Sequence, residues 1–285
     1  MSAPRVWFIT GASSGFGKSM TELVLQKGDS VIATLRKPTM IDDLVAKYPK
    51  ERLLVLQLDV TKPDDVAAAF AKAKEAYGRI DVVFNNAGRM SLGELESMGD
   101  KAARDMMEVN FWGAAHVSRE AVKFFREVNG PKVGGLLMQV SSRAGIVGNP
   151  GGVYYSASKF ALEGLTESLV KELNPEWNIK VTMVEPGPFR TKLASDNIIL
   201  EEQHPAYADP SAPGSAFRQY IVSSNVDGDA DKAVVVMEKL SHVPNPPLRL
   251  PLHRRTIAGI KDKAQSLTKD VEEYGSWSDD VYFTE

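Results

Sequence analysis

The chain has 285 residues, 43% of them hydrophobic and 25% charged, with a formal net charge of -3, which suits an ordinary globular protein with a substantial core. So even a balance gives no electrostatic reason to expect nucleic acid or an anionic membrane as partner. The lack of cysteine excludes disulfides, thiolate metal sites and cysteine nucleophiles together. The opening MSAPRVWFITGASSG has no long apolar run of the secretory type. No segment approaches ~20 uninterrupted apolar residues, so the expectation is no membrane span and a cytoplasmic location.

In chain order, residues 5–10, 31–35, 53–58, 80–84, 135–140 and 179–184 are short apolar runs. Most lack polar/apolar alternation, as strands buried on both faces of a parallel sheet do. Helical periodicity falls between them, at 16–27, 39–48, 63–77, 100–128 and 153–173. The first helix ends at Gly28, and the third starts at Pro63 and ends at Gly78, sound start and stop signals. Strand alternating with helix predicts α/β architecture: a doubly wound, Rossmann-type, mostly parallel sheet flanked by helices, in one domain over 1–285. Residues 192–232 carry scattered Pro, Gly, Ser and Asp with weak periodicity and are expected to be a surface loop or a substrate lid. From 244 onward a turn, a short strand and a helix start form a C-terminal extension.

Between the first strand and helix stands Thr10-Gly11-Ala12-Ser13-Ser14-Gly15-Phe16-Gly17. Glycines there let the backbone turn tightly, let a pyrophosphate approach and let helix pack on strand. The helix N-terminus offers free N–H groups, and Ser13 and Ser14 can add donors. The Gly17-Lys18-Ser19 ending resembles a P-loop, but five residues separate Gly11 from Gly17 where that motif has four. Nucleotide binding is favoured and kinase or ATPase chemistry is not. At the end of the second run, Leu35-Arg36-Lys37 has no acid for an adenine-ribose hydroxyl, whereas Arg36 and Lys37 suit a 2′-phosphate. The expected cofactor is NADP(H).

Tyr155 and Lys159 stand four apart, on one helix face, after a buried strand ending in Ser141-Ser142. That spacing alone is close to a chance event; its position gives it meaning. TGxxxGxG, Asn85-Asn86-Ala87-Gly88, Ser142, Tyr-x-x-x-Lys and Pro186-Gly187, in that order, closely resemble the short-chain dehydrogenase/reductase family over roughly 5–191. The resemblance implies that Tyr155, Lys159, Ser142 and Asn110 are catalytic, with Asn110 interrupting its helix and holding a water near Lys159. It further implies adenine contacts from Asp59 and its neighbour Val60. Asn86, Ala87 and Gly88 would line the adenine-ribose side, and Pro186, Gly187 and Thr191 the nicotinamide. Phe16 departs from the smaller aliphatic residue usual in the family and should alter packing beside the cofactor.

The chemistry has its own logic. Hydride transfer to a carbonyl leaves an alkoxide that needs a proton and a hydrogen-bond donor. A tyrosine near pKa ~10 needs help to cycle at neutral pH, and Lys159 is expected to favour the phenolate by its charge. Ser142 can orient the substrate oxygen. Tyr154 reads as a packing or pocket residue and Asn85 as structural. His116, His204, His242 and His253 show no metal-ligand spacing, so no metal is expected.

Family geometry suggests a substrate pocket from Met90-Ser91-Leu92, Arg143 to Val147, Tyr154, Phe189 and the 192–232 segment. These residues are mostly apolar, and the VIATLR and VEPGPFRT stretches are similar to those of 17β-hydroxysteroid and retinol dehydrogenase-like members. A steroid-, retinoid- or polyketide-like ketone or secondary alcohol is therefore expected. Arg143 and Arg190 read as surface ion-pair residues rather than partners of a substrate acid. Two rivals stand beside the reductase: a non-catalytic NADP-binding sensor, and an epimerase or dehydratase using the same Tyr and Lys. A homodimer or homotetramer is expected from the family.

Overall fold

The computed structural model describes residues 4–191, 198–223 and 226–283. From the N-terminus the chain forms β1 (Val6–Thr10), α1 (Gly15–Gln26), β2 (Ser30–Leu35), α2 (Asp42–Val45), β3 (Leu53–Gln57), α3 (Pro63–Tyr77), β4 (Val82–Asn85) and β5 (Met90–Leu92). It continues through α4 (Asp100–Met107), α5 (Ala114–Phe124), β6 (Gly135–Val140), α6 (Val153–Glu172), β7 (Ile179–Pro186) and β8 (Phe189–Arg190). The rest comprises β9 (Ile198–Leu200), α7 (Pro213–Val222), β10 (Gly228–Asp229), α8 (Ala230–Leu240), β11 (Arg249–Leu252) and α9 (Arg254–Tyr274).

Seven parallel strands form one sheet in the order β11-β7-β6-β4-β1-β2-β3. All five residues of β1 are buried, which explains their lack of alternation: both faces are covered. Trp7 and Ile9 point into one layer with Met20 and Val24 of α1 and Val234 and Met237 of α8. Val6 and Phe8 point into the other with Phe70 of α3 and Val117 and Phe124 of α5, and Phe8 stacks on Phe70 with ring centroids 4.3 Å apart. Each such side chain, fully buried, contributes about 1.5–3 kcal/mol. The strand order reverses between β1 and β4, so the carboxyl ends of those strands open a crevice of the kind that receives ligands in open α/β sheets.

Several elements differ from the sequence reading. The 39–48 helix reduces to a 3₁₀ turn at Pro38–Ile41 and the short α2, confined between Pro38 and Pro49. The 100–128 helix runs on to Asn129, but α4 and α5 are joined by a π-helical segment, Glu108–Gly113, and a second one, Phe125–Asn129, ends it. The expected 192–232 lid contains β9, α7 and the start of α8, while its residues 192–197 and 224–225 lie outside the described residues. Helix α8 holds a run of three valines that resembles a strand. Asp229 nevertheless caps it by accepting from the N–H groups of Asp231 and Lys232, and the helix packs on α1 through Met237. Toward the C-terminus, β11 joins the sheet beside β7.

Two buried polar arrangements lock the layers together. Asn85 donates from Nδ2 to Gln139 Oε1 (2.7 Å) and to the Ala114 carbonyl (2.9 Å), while Gln139 donates to Ser118 (2.7 Å). This network ties β4 and β6 to α5 and gives Asn85 its structural role. Asn85→Ala strands the Gln139 carbonyl in a dry core, which costs about 2–3 kcal/mol; a guanidinium unfolding midpoint lowered to match is the expected result.

The second arrangement sets Glu185 of β7 and Glu163 of α6 around Arg249 of β11, whose Nε lies 3.3 Å from Glu185 and 3.2 Å from Glu163. Two buried carboxylates share one guanidinium, which its hydrogen bond to Glu167 further engages. Burial pushes the Glu185 carboxyl up to about 7, the neighbouring Glu163 adds to this, and Arg249 opposes it. Burial raises Glu163 too. A carboxyl that binds its proton more tightly when folded loses stability as pH climbs from its ordinary 4.5 to about 7. The parent should therefore be less stable at about pH 8 than at about pH 5 through this group. Glu185→Gln should remove that slope and exceed the parent above neutrality by on the order of 2–3 kcal/mol, as read from thermal unfolding across pH.

Candidate active site

The glycine turn is built by close approach. Gly11 has φ +68 and Gly15 φ +52, values that disfavour other residues. A Cβ on Gly17 would stand 2.2 Å from the Gly11 carbonyl oxygen, so only glycine lets α1 start so near β1. Gly17 thus shapes the turn from behind and does not line the cavity. Asn86 donates from Nδ2 to the Thr10 carbonyl (2.9 Å), and Thr10 Oγ1 accepts from the N–H groups of Asn86 and Ala87 (2.9 Å each). The loop after β4 is thereby fastened to the phosphate-type turn. No acidic residue occupies the first turn of α1, so its N–H groups face no competing charge.

A cavity of about 1160 Å³ opens at the carboxyl ends of the strands. Gly11, Ser13, Ser14, Gly15 and Phe16 line it, together with Arg36, Lys37, Asp59, Val60, Asn86, Ala87, Gly88, Pro186, Gly187 and Thr191. Ser142, Tyr155, Lys159, Met90, Arg143 and Phe189 line the same cavity. The residues expected to hold the cofactor and those expected to be catalytic, Ser142, Tyr155 and Lys159, are therefore neighbours in space. Phe16 meets Phe189 edge to face at 5.4 Å between centroids, so its larger ring bridges the turn to the loop after β7. The small residues that line this cradle, the donors at the head of α1 and the cations at the end of β2 have the chemistry to hold a dinucleotide.

Tyr155 and Lys159 both lie on α6 and are buried. Burial pushes the Tyr155 phenol up, and a hydrogen bond with Ser142 pulls it down. The expected lowering by Lys159 charge is therefore not what governs the phenol in this structure. Lys159 itself is lowered by burial to about 8, with Glu163 one turn further along α6 opposing. Its ammonium donates to the Val140 carbonyl at 2.9 Å, which aims it at the end of β6, where Ser142 follows. Ser142 caps a short 3₁₀ turn by accepting from the Ala144 N–H at 3.1 Å, leaving its hydroxyl hydrogen for another partner.

Asn110 lies where the α-helical pattern is interrupted, in the π-helical segment Glu108–Gly113 between α4 and α5. Its Nδ2 donates to Ser158 Oγ (3.0 Å) and to the Arg89 carbonyl (2.9 Å), and its Oδ1 accepts from the Arg89 N–H (2.9 Å). Ser158 in turn donates to the Tyr155 carbonyl at 2.7 Å. Asn110 thus joins the loop after Gly88 to the Tyr155 turn without facing the main cavity.

Tyr154 also lies off the main cavity. It borders a separate groove with Arg104, Met107 and Trp112, because successive helix positions point about 100° apart and Tyr155 takes the inward one. Arg143 is not a surface ion-pair residue: it faces the cavity, half-buried, and donates to Asn149 Oδ1 (2.5 Å). Burial and nearby Arg255 lower it, against Asp262. Arg190 is exposed, and its guanidinium donates to the Val226 carbonyl.

On the substrate side of the cavity the 192–232 segment contributes Phe217, Tyr220 and Ile221 of α7, none of which the sequence named individually, and α9 adds Arg255, Ala258 and Gly259, which the sequence did not single out. Helical spacing at 217, 220 and 221 was the available signal, hidden among prolines and glycines. His253, at φ +121, turns the chain into α9. Its Nδ1 accepts from the Arg255 N–H, so Nε2 carries the proton and donates to Asp227 (2.9 Å).

Residues 5–199 match the model of the short chain dehydrogenase family. An uncharacterized oxidoreductase of Schizosaccharomyces pombe is 36% identical over 264 residues, covering 93% of this chain and 87% of that one. An oxidoreductase of Penicillium decumbens, calM, is 35% identical over 95% of this chain and 91% of its own. The crystal structure of a short-chain dehydrogenase from Streptomyces avermitilis superposes with a TM-score of 0.88 at 35% identity, covering 99% of this chain and 100% of that one. With the motifs in register and Ser142, Tyr155 and Lys159 gathered beside the glycine turn, the chain belongs to the short-chain dehydrogenase family of NAD(P)-binding oxidoreductases.

Proposed function

We propose that the chain is an NADP(H)-dependent oxidoreductase that acts on a hydrophobic ketone or the corresponding secondary alcohol. The observation that carries this reading is one cavity with two ends: Arg36 and Lys37 border it at the end of β2, and Ser142 and Tyr155 border it beneath an apolar wall. Neither Arg36 nor Lys37 has a carboxylate within ion-pair distance among the described residues, so both cations are available to a 2′-phosphate. The far end carries Met90, Phe189, Phe217 and Ile221, a lining suited to an apolar body around a single polar carbon.

When bound, the nicotinamide supplies or accepts the hydride. The chain's own residues handle the oxygen and its proton. Ser142 holds the substrate oxygen by its hydroxyl, and Tyr155 gives that oxygen a proton in reduction and takes it back in oxidation. The upward push on the phenol favours the protonated form, the form that reduction requires. Lys159, near its own midpoint at about 8, can hold or pass a proton close to neutral pH. The apolar wall and the buried tyrosine keep bulk water from the developing charge.

A screen of ketones and aldehydes, following consumption of NADPH against NADH, is the direct test; oxidation of NADH but not NADPH by every accepted substrate would overturn the cofactor reading. On an accepted ketone, Tyr155→Phe should lower kcat by about 10²-fold or more while cofactor binding persists; full activity would remove Tyr155 from the proton step. Arg36→Ala should reduce the NADPH-over-NADH preference by about tenfold or more, as the ratio of kcat/KM values reports.

A further inference from the structure

The last long helix is only half attached. Thr256 and Gly259 are buried, with Gly259 close to Arg143 and Val147. Every described residue from 261 to 283 is exposed. Helix α9 nevertheless continues to Tyr274, and Tyr274 and Trp277 meet edge to face at 5.2 Å beyond it. Its exposed outer stretch, 261–274, is short enough to gain little from propensity alone, and such a stretch in proteins relies on covering an apolar face. Here the face exists and nothing in the described chain covers it.

Ile257, Ile260, Ala264, Leu267, Val271 and Tyr274 follow one another at alternating intervals of three and four, the seam of a two-helix coiled coil. Leu267 is 52% exposed and Val271 70%, so the seam lies open to solvent. The charges beside it are sorted by position. Arg254, Arg255, Lys261 and Lys263 make the inner half basic against one acid, Asp262. Asp270, Glu272, Glu273, Asp279 and Asp280 make the outer stretch acidic against one base, Lys269. Such a helix repels a parallel copy of itself and complements an antiparallel one.

We infer that α9 is an association arm that pairs antiparallel with α9 of a second copy of this chain, across a two-fold axis near Leu267. In that pairing the seams interlock. Lys263, which flanks the seam one position before Ala264, comes beside Asp270 of the partner subunit, which flanks it one position before Val271. The symmetry makes this pair twice. Lys261 likewise faces the acidic outer turns. Because Arg255, Ala258 and Gly259 wall the main cavity, the arm also braces the substrate side in both copies. The inference is independent of the substrate and cofactor reading, since none of the seam residues lines the cavity.

The test is the mass of the full chain in solution, by light scattering or sedimentation. Leu267→Glu with Val271→Glu should lower the assembly mass by about half; an unchanged mass overturns the inference. Lys263→Glu alone and Asp270→Lys alone should each weaken association by about tenfold, since two attractive pairs become repulsive. The double variant Lys263→Glu/Asp270→Lys should restore it. A double variant no better than either single one overturns the antiparallel pairing. An unaltered chain that stays monomeric at micromolar concentration overturns it as well and leaves a different protein or a lipid surface as the occupant of the seam.

Discussion

The site depends on how closely a helix start can lie against a strand end. At Gly17 the space for a side chain is filled by the Gly11 carbonyl, and that contact sets where α1 begins, where its N–H groups aim and where Thr10 ends its strand. Thr10 then receives two backbone N–H groups from the loop after β4. That loop's next residues, Gly88 and Arg89, lean on Asn110. From Asn110 the links run through Ser158 to the Tyr155 backbone. A distance set by one missing Cβ therefore propagates through hydrogen bonds, each worth about 1 kcal/mol, to the turn that carries the Tyr155 phenol.

The second theme is the treatment of buried charge. Lys159, Glu163, Arg249 and Glu185 form a line from α6 into the edge of the sheet. Removing charges from water is costly unless they are paired. The chain answers by letting one cation serve two acids and by leaving Glu185 close to half-protonated near neutrality. The lysine beside the tyrosine consequently stands at the end of a titratable group of residues rather than as an isolated point charge, and its state follows that of its neighbours.

The parallel sheet, its strands and the glycine turn were legible because each rests on local pattern: apolar runs, glycine spacing, proline at helix starts. Ser142, Tyr155 and Lys159 were legible as a candidate set because they follow one another closely after the strand that ends at Val140. What escaped was tertiary. That the interruption at Asn110 takes the form of a π-helical widening leaves no mark in helical periodicity, since a single added residue per turn is absorbed by packing. Tyr154 and Tyr155 are equal in composition, and only the rotation of α6 decides which faces the cavity. The α7 wall lay within a stretch dominated by turn residues, and the valine run of α8 imitates a strand until Met237 is seen against α1. Arg143 read as an exposed cation because a sequence does not reveal that Gly259, more than a hundred residues later, closes over it.

The short parallel ribbon of β5 with β9 has a consequence for engineering. Gly93 bridges to Gly152, its N–H donating to the Gly151 carbonyl at 2.9 Å, and the Glu201 backbone N–H donates to the Leu92 carbonyl at 2.8 Å. Three separate stretches, one leading into α6 and one leading toward α7, are thus sewn together by main-chain bonds. A graft that replaces the 198–222 wall to change substrate range cannot be treated as an exchangeable cassette. Unless the new segment preserves that strand register, the seam shifts at Gly152, one residue before α6 begins, and the tyrosine three residues on is aimed elsewhere.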